Sequence, residues 1–289
     1  MEYQEKTVLK IITNNVVRES PLLAEHGISI LIHSKDMANN ECFLLDAGQR
    51  SSTLLHNMEI MDIDIKKLKI SSIFLSHGHY DHTGGLKGLL EEHGKRVPII
   101  AHPDIFAKRV SYVGGFRFIS CPHSQKVLND AGGDLLLTVD PVKVNDYMQT
   151  TGVVPRENKF ETIHSFKRIS QGRWIDDEIL DDQSLIISVG ENGFFLVCGC
   201  CHAGIINTVQ WAKKLSGRDK VVGIMGGLHL VGAGKERLEF TFEELKKVDP
   251  EIIIPLHCSG VEETALIKSE FGEKVNLSVC GDSYCLDMF

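Results

Sequence analysis

The most informative stretch of the chain reads His77-Gly78-His79-Tyr80-Asp81-His82 and directly follows the apolar run 72–76. On an extended segment, residues two apart point the same way, so His77 and His79 can share one metal ion. Asp81 and His82 come where the chain turns toward a helix, and they would face a second ion a few ångströms away. The spacing therefore predicts a dinuclear metal site. The alternative is a solvated, histidine-rich turn.

Three later histidines also follow apolar runs, at the point where a strand is expected to end. His202 follows the run 194–199, His257 follows 252–256, and His229 follows 221–225 after a Gly-Gly turn. Strand ends expose side chains to the cleft of an α/β fold. We therefore expect His202 and His257 to be metal ligands and His229 to support a ligand or face the substrate. The alternative for each is a hydrogen-bonded loop histidine.

Asp46 is a carboxylate that ends an apolar strand before a glycine turn. It would suit an acceptor that fixes the tautomer of a ligand imidazole, although aspartate also caps turns. His102 is expected to close a turn, and His164 is a weaker ligand candidate. The other histidines stand in no informative context: His26, His33, His56, His93 and His123.

Composition indicates a globular chain without a nucleic-acid or membrane partner. The 289 residues are 43% hydrophobic and 24% charged, and 31 basic against 39 acidic residues give a net charge of −8. That sign disfavours nucleic acids and anionic membranes. The charged start Met1-Glu2-Tyr3-Gln4-Glu5-Lys6 does not resemble a signal peptide, and no apolar run is long enough to span a bilayer. Eight cysteines without a disulfide pattern favour the cytoplasm.

Short apolar runs alternate with helical stretches, which predicts an α/β fold with helices on both sheet faces. Strands are expected at 7–12, 28–33, 42–45, 72–75, 97–101, 184–189, 193–198, 221–225, 252–255 and 275–279. Helices are expected at 85–93, 203–215, 238–247 and 261–271. The segment 104–155 is expected to form an arm or lid, or an inert surface excursion.

The motif 76–85 resembles the signature of the metallo-β-lactamase superfamily, and Asp46-Ala47-Gly48 resembles its upstream Asp-x-Gly element. The resemblance implies a four-layered αββα sandwich, with residues 1–289 as a single domain and a dinuclear site at one rim of the sheets. More narrowly, the chain resembles the subgroup similar to the archaeal dihydropterin-methyl-aminobenzene ribofuranosyl phosphate synthase. The motifs that carry this resemblance are Asp182-Gln183-Ser184, Gly199-Cys200-Cys201-His202-Ala203-Gly204, Gly226-Gly227-Leu228-His229-Leu230 and Pro255-Leu256-His257-Cys258-Ser259-Gly260.

One departure from the superfamily pattern concerns the carboxylate that bridges two ions in many of its hydrolases. This chain has Gly199-Cys200-Cys201 in the corresponding stretch. A Cys200 thiolate, His202 or solvent alone would then bridge the ions, and the cysteine also fits as a small residue beside the ligands. We expect two divalent ions. Imidazole and carboxylate donors fit zinc, manganese or iron better than calcium or magnesium, and a thiolate would favour zinc over manganese. Zinc is the first expectation, with manganese, iron or magnesium as alternatives.

The resemblance implies an enzyme acting on a small anionic substrate, with the oligomeric state open. The first candidate is a transferase that joins a pterin methyl diphosphate to an arylamine ribofuranosyl phosphate. The alternatives are a hydrolase of an ester, lactone or phosphoester and a non-hydrolytic metal or redox binding protein. Asp81 and His229 are the catalytic candidates, and Ser259 and Gly260 are expected to contact the substrate because helix N-termini bind anions.

Overall fold

The computed structural model describes residues 6–18, 20–35, 41–112, 114–162 and 165–288, so His164 lies outside the described residues. Its strands are β1 Lys6–Thr13, β2 Ser29–Lys35, β3 Cys42–Leu45, β4 Ile70–Phe74, β5 Val97–Ala101, β6 Arg109–Ser111, β7 Arg117–Phe118, β8 Gly133–Leu137, β9 Met148–Thr150, β10 Phe166–Ser170, β11 Arg173–Asp176, β12 Ser184–Val189, β13 Gly193–Cys198, β14 Lys220–Gly227, β15 Ile252–Leu256 and β16 Ser283–Cys285. Its α-helices are α1 Ser51–Ile60, α2 Tyr80–Thr83, α3 Leu86–His93, α4 Gln125–Asp130, α5 Ile205–Ser216, α6 Lys235–Val248 and α7 Val261–Phe271. Short 3₁₀ turns span Pro103–Phe106, His257–Ser259, Gly272–Lys274 and Leu286–Met288.

Two large sheets form the centre of the fold. The first has seven strands in the order β16-β1-β2-β3-β4-β5-β8, antiparallel from β16 to β3 and parallel from β3 to β8. The second has five strands in the order β15-β14-β13-β12-β9, with β13 to β15 parallel. In each sheet the strands that precede the histidine motifs run parallel to a neighbour, so their carboxyl ends lie at the same edge.

Three apolar cores divide the molecule into layers. One lies between the sheets and includes Phe43, Phe74 and Phe195. A second lies between the first sheet and helices α1 and α3, and a third lies between the second sheet and helices α5 to α7. Strand β13 is buried at every position because it is covered on both faces. The predicted αββα sandwich is confirmed.

A third, smaller sheet stands beside the two large ones. It has the order β11-β10-β6-β7 and is antiparallel throughout. The segment 104–155, expected as an arm or lid, is divided among three sheets: β6 and β7 join the small sheet, β8 joins the first sheet, and β9 joins the second. The small sheet takes its other half from a later segment, β10 and β11.

The strand expected at 275–279 is wrong. Only Val275 pairs there, through an isolated bridge to Ile253. The chain then leaves the second sheet and crosses to the first, where the Cys280 N–H donates to the Val16 carbonyl at 3.0 Å.

Candidate metal centre

The structure brings together the six residues expected to be ligands. His77 and His79 follow β4, Asp81 and His82 lie in α2, His202 follows β13, and His257 follows β15. All six residues are buried, and none is more than 7% exposed. Because the two sheets present these strand ends at one rim, residues 180 positions apart in the chain converge on one centre.

His77, His79 and His202 form the first donor group. His77 Nε2 lies 2.8 Å from His79 Nδ1 and 3.1 Å from His202 Nε2. Their ligand atoms all lie within 4.8 Å of one another. This is the spacing of donors that can hold one tetrahedral ion with an open fourth position.

Asp81 is the centre of the second donor group. Its Oδ2 lies 3.2 Å from His257 Nε2, 3.2 Å from His26 Nε2 and 3.8 Å from His82 Nε2. His82 and His257 were expected here from the sequence, but His26 was not. His26 lies in the loop before β2. Its distance along the chain from residues 77–82 gives no sign that it approaches Asp81.

Cys200 lies between the two groups. Its Sγ is 3.1 Å from His82 Nε2, and it forms close triads with His77 and His82, with His202 and His229, and with His257 and Cys258. Cys258 was not singled out from the sequence. Burial raises the pKa of the Cys200 thiol well above its usual value.

Side chains around the centre orient its imidazoles. Asp46 accepts a hydrogen bond from His82 Nδ1 at 2.6 Å. Asn15 Oδ1 lies 2.8 Å from His257 Nδ1, and Asn14 Oδ1 accepts from the His257 backbone N–H at 2.9 Å. Both rings therefore direct Nε2 at Asp81.

The loop between His77 and His79 is held by a buried ion pair. The Gly78 N–H donates to Asp181 Oδ2 at 2.8 Å, and the same carboxylate binds the Arg109 guanidinium at 2.6 and 2.9 Å. Glycine is required at position 78 because a Cβ there would lie 2.1 Å from the Ile105 carbonyl oxygen. Neither Arg109 nor Asp181 was expected to contribute.

The protonation states suit metal binding. Burial lowers the pKa of His77, His79 and His202 well below the usual value, so these rings are neutral and their lone pairs are available. Burial would raise the pKa of Asp81, but the neighbouring imidazoles together hold it well below its usual range. Burial also disfavours a charged His82, yet Asp46 and Asp81 outweigh it and raise the pKa of His82 to about 9.

The donor set fits a divalent cation. Buried polar atoms are normally hydrogen-bonded. His77 Nε2 faces both His79 Nδ1 and His202 Nε2, and these three neutral rings cannot all be satisfied there by mutual hydrogen bonds. A cation at their centre would resolve this, and soft thiol and imidazole donors suit zinc-like ions.

A cleft of about 240 Å³ opens onto this centre. His79, Asp81, Cys200, His202 and His257 reach its floor, and the small sheet forms one wall. The described residues that line it are His26, His79, Tyr80, Asp81, Ser111, Arg117, Ile119, Ser165, Phe166, Cys200, His202, His229, Val231, His257 and Cys258.

His229 lines the cleft in a strained backbone conformation, with φ 46°. Its ring lies 4.3 Å from that of His202, centroid to centroid. Ser259 and Gly260, expected to contact substrate, are not among the lining residues. Ser259 is buried instead, and its hydroxyl accepts from the Leu228 N–H at 3.1 Å and donates to the Gly226 carbonyl at 3.3 Å. It therefore supports the loop that carries His229.

None of the helices in the described ranges combines the length and apolar character that a bilayer span requires.

The chain has clear relatives among named proteins. It is 36% identical over 263 residues to the 7,8-dihydropterin-6-methyl-4-(beta-D-ribofuranosyl)-aminobenzene-5'-phosphate synthase of Methanocaldococcus jannaschii. The matched region covers 88% of this chain and 87% of that protein. An uncharacterized protein of the same organism is 36% identical over 253 residues, covering 88% of this chain and 91% of the relative.

Solved structures share the fold. Tm1679, described as a metal-dependent hydrolase of the beta-lactamase superfamily, superposes with a TM-score of 0.81 at 21% identity, covering 96% of this chain and 98% of that one. The metallo-beta-lactamase fold protein YhfI from Bacillus subtilis gives a TM-score of 0.56 at 13% identity and covers 97% and 99%. The model of the Metallo-beta-lactamase superfamily matches residues 28–168. The chain therefore belongs to the metallo-beta-lactamase superfamily and is an enzyme.

Proposed function

We propose that this enzyme is a metal-dependent transferase that joins a pterin methyl diphosphate to an arylamine ribofuranosyl phosphate. The observation that carries the reaction is the 36% identity to the named synthase over 88% of this chain. A match over 88% of the chain runs through both halves, and each half supplies donors to the centre. The geometry of the cleft supports the same reaction.

We assign one ion to His77, His79 and His202 and a second to Asp81, His82 and His257, with Cys200 between them. Zinc is the first choice because most donors are imidazoles and one is a thiol. When bound, two divalent ions would stabilise the negative charge that develops on a diphosphate leaving group.

The chain's own residues would attract and orient an anionic substrate. Asp81 is the only carboxylate in the two assigned donor groups, so the loaded centre keeps a positive charge. Phe166 and Tyr80 line the cleft and offer flat surfaces for aromatic rings. This combination suits a substrate that carries both a ring system and phosphate groups.

His229 is the residue we assign to proton transfer. Its Nδ1 has no hydrogen-bond partner within the described residues, and the side chain lines the cleft. In the reaction the arylamine nitrogen forms a bond to the pterin methylene carbon, and the bond from that carbon to diphosphate breaks. His229 would take the proton that the amine loses. Asp81 contacts three imidazoles, so we assign it to holding the centre.

A hydrolase of a phosphoester or related substrate is the second candidate. His229 is as able to take a proton from water as from an amine, because its side chain lines the cleft and its Nδ1 has no hydrogen-bond partner within the described residues. The two reactions differ in their products: a condensed pterin–arylamine compound in one case, and a pterin alcohol in the other.

The test is to supply the metal-loaded protein with dihydropterin methyl diphosphate and the arylamine ribofuranosyl phosphate, and to identify products by mass spectrometry. We expect the condensed product and free diphosphate. His77→Ala should lower the rate by at least about 100-fold, since it removes a donor from the centre. His56→Ala is the matched control, because within the described part of the chain His56 forms a side-chain hydrogen bond only with the Pro21 carbonyl. Release of diphosphate with no condensed product would contradict the transferase and leave the hydrolase.

A further inference from the structure

The small sheet presents a row of three side chains to the cleft. Phe166 of β10 pairs with Ser111 of β6, and Ser111 pairs with Arg117 of β7. Residues that are directly opposite in neighbouring strands point to the same face of a sheet, and all three line the cleft. The row therefore crosses the wall of the cleft from one side to the other.

One end of this row touches the metal centre. The Phe166 ring lies 5.2 Å from His79, 5.5 Å from His202 and 6.1 Å from His229, centroid to centroid. A flat group resting on Phe166 would thus have its edge beside the residues that we assign to the reaction.

The other end of the row is an unpaired cation. Arg117 is exposed, and within the described residues its side chain has no hydrogen-bond or ion-pair partner. Two neighbouring cations of the small sheet are paired, Lys167 with Asp176 and Arg168 with Asp104, whereas Arg173 lies outside the cleft lining. A free guanidinium that faces a cleft is suited to bind an anion, and it matches phosphate oxygens with two parallel hydrogen bonds.

Two lines of geometry give the backbone distance of Arg117 from the metal end of the cleft, where Phe166 and His79 lie. Neighbouring strands lie about 4.8 Å apart, so two strand spacings place Arg117 about 10 Å from Phe166. Independently, His79 pairs with Ser120 in an isolated bridge. Arg117 precedes Ser120 by three residues, which again corresponds to about 10 Å at the rise of a strand.

We propose that this row recognises the arylamine substrate, with the aryl ring against Phe166 and the 5'-phosphate bound by Arg117. An arylamine ribofuranosyl phosphate has its amine and its phosphate separated by a ring and a sugar, which places the amine at the metal end when the phosphate is at Arg117. The inference rests on the proposed function and adds the residue that selects the phosphorylated substrate.

The test is calorimetric binding of two probes to the metal-loaded protein without pterin: the arylamine ribofuranosyl phosphate and its dephosphorylated form. We expect the wild type to bind the phosphorylated probe about 10- to 100-fold more tightly, as charged hydrogen bonds provide. Arg117→Met should abolish this preference and leave affinity for the dephosphorylated probe unchanged. Arg117→Lys should restore part of it. Arg173→Met, an exposed arginine of the same sheet outside the cleft lining, is the control.

Equal affinity of the wild type for the two probes, or a preference that survives in Arg117→Met, would overturn the inference even if condensation activity is found. A phosphate preference that is lost in Arg117→Met would uphold it even if no condensed product is ever detected. The two proposals therefore fail separately. Thermal melts of the variants should match the wild type, because Arg117 is exposed and unpaired.

Discussion

Burial and neighbouring carboxylates have opposite effects on the pKa of His82. It is fully buried, which disfavours the imidazolium, but its Nδ1 lies 2.6 Å from Asp46 and its Nε2 faces Asp81 and Cys200. The carboxylates dominate, and the pKa of His82 rises to about 9. Its charge therefore stabilises the metal-free fold below the unfolded pKa of about 6.5, and this contribution is lost as pH rises through about 9. A ligand imidazole must be neutral, so metal binding and this proton compete.

We predict that the protein releases protons when it binds the metal ions. At pH 7 we expect about two protons to leave per two ions bound, one from His82 and one from the Cys200 thiol. The release from His82 should fade as pH rises past its pKa of about 9, and metal affinity should rise up to that pH. Calorimetry in buffers of different ionisation enthalpy measures the number directly.

Two variants distinguish the proton released by His82 from the proton released by the Cys200 thiol. Cys200→Ser should reduce the release by about one proton if the thiolate binds the ions. Asp46→Asn removes the carboxylate that raises the pKa of His82, so it should reduce the release at pH 8 while leaving the Cys200 proton. Loading at pH 7 without any proton release would mean that His82 does not bind the ions.

At the scale of elements, the loop after β4 depends on the small sheet. Arg109 of β6 is fully buried and binds Asp181 and Asp177, and Asp181 also accepts the Gly78 N–H. The wall of the cleft and the loop that carries the first donors are thus joined through one guanidinium. Removing one partner of such a buried pair leaves an uncompensated charge.

Arg109→Met should therefore destabilise the protein by about 3–5 kcal/mol. Denaturant unfolding of the metal-loaded protein measures the loss. The control is Arg168→Met, whose partly exposed pair with Asp104 should be worth less than about 1 kcal/mol. Adding Asp181→Asn to Arg109→Met should recover part of the stability because it removes one stranded charge. Unchanged stability in Arg109→Met would refute the role of this pair.

The elements predicted best are those whose signal is local. Strands β3, β5, β12 and β13 and helix α7 have the predicted bounds, since each is an apolar run closed by turn residues or a helical run closed by glycine. Helix α1 was missed because its buried face includes the polar Thr53 and Asn57. The Asn57 amide donates to the distant Ile12 and Leu23 carbonyls and accepts from the Leu23 N–H, at 2.8 Å each. The β10–β11 hairpin did carry a turn signal, Gln171-Gly172, both with positive φ.

The whole molecule places two sheets around one centre. Donors from the first sheet, His77 to His82, meet donors from the second, Cys200, His202 and His257. The sequence was sufficient to predict that residues following apolar strands would lie near this centre. It was not sufficient for His26 or Cys258, or for Asn14 and Asn15, which hold His257. Their contacts depend on how the end of β1 lies against β15, and no local pattern encodes that arrangement.

Metal removal should loosen this rim without unfolding the sandwich, because the three apolar cores do not depend on the ions. With free metal at about 100 times its dissociation constant, loading should add about 3 kcal/mol per ion to the free energy of unfolding. Hydrogen exchange after chelation should rise in 76–84, 199–204 and 257–260 and stay unchanged in β13. Global unfolding on chelation, or unchanged exchange in those loops, would contradict this.

The cleft-facing row of the small sheet and the donor residues have different tasks, and this bears on how such enzymes diversify. Phe166, Ser111 and Arg117 contribute none of the donor atoms, and each assigned donor follows a strand of the two large sheets or lies in the short helix α2. Selection can therefore alter which molecule is chosen by substitutions on one short sheet, while the reactive centre is inherited intact. A lineage that replaces Arg117 would change its substrate before it changes its reaction.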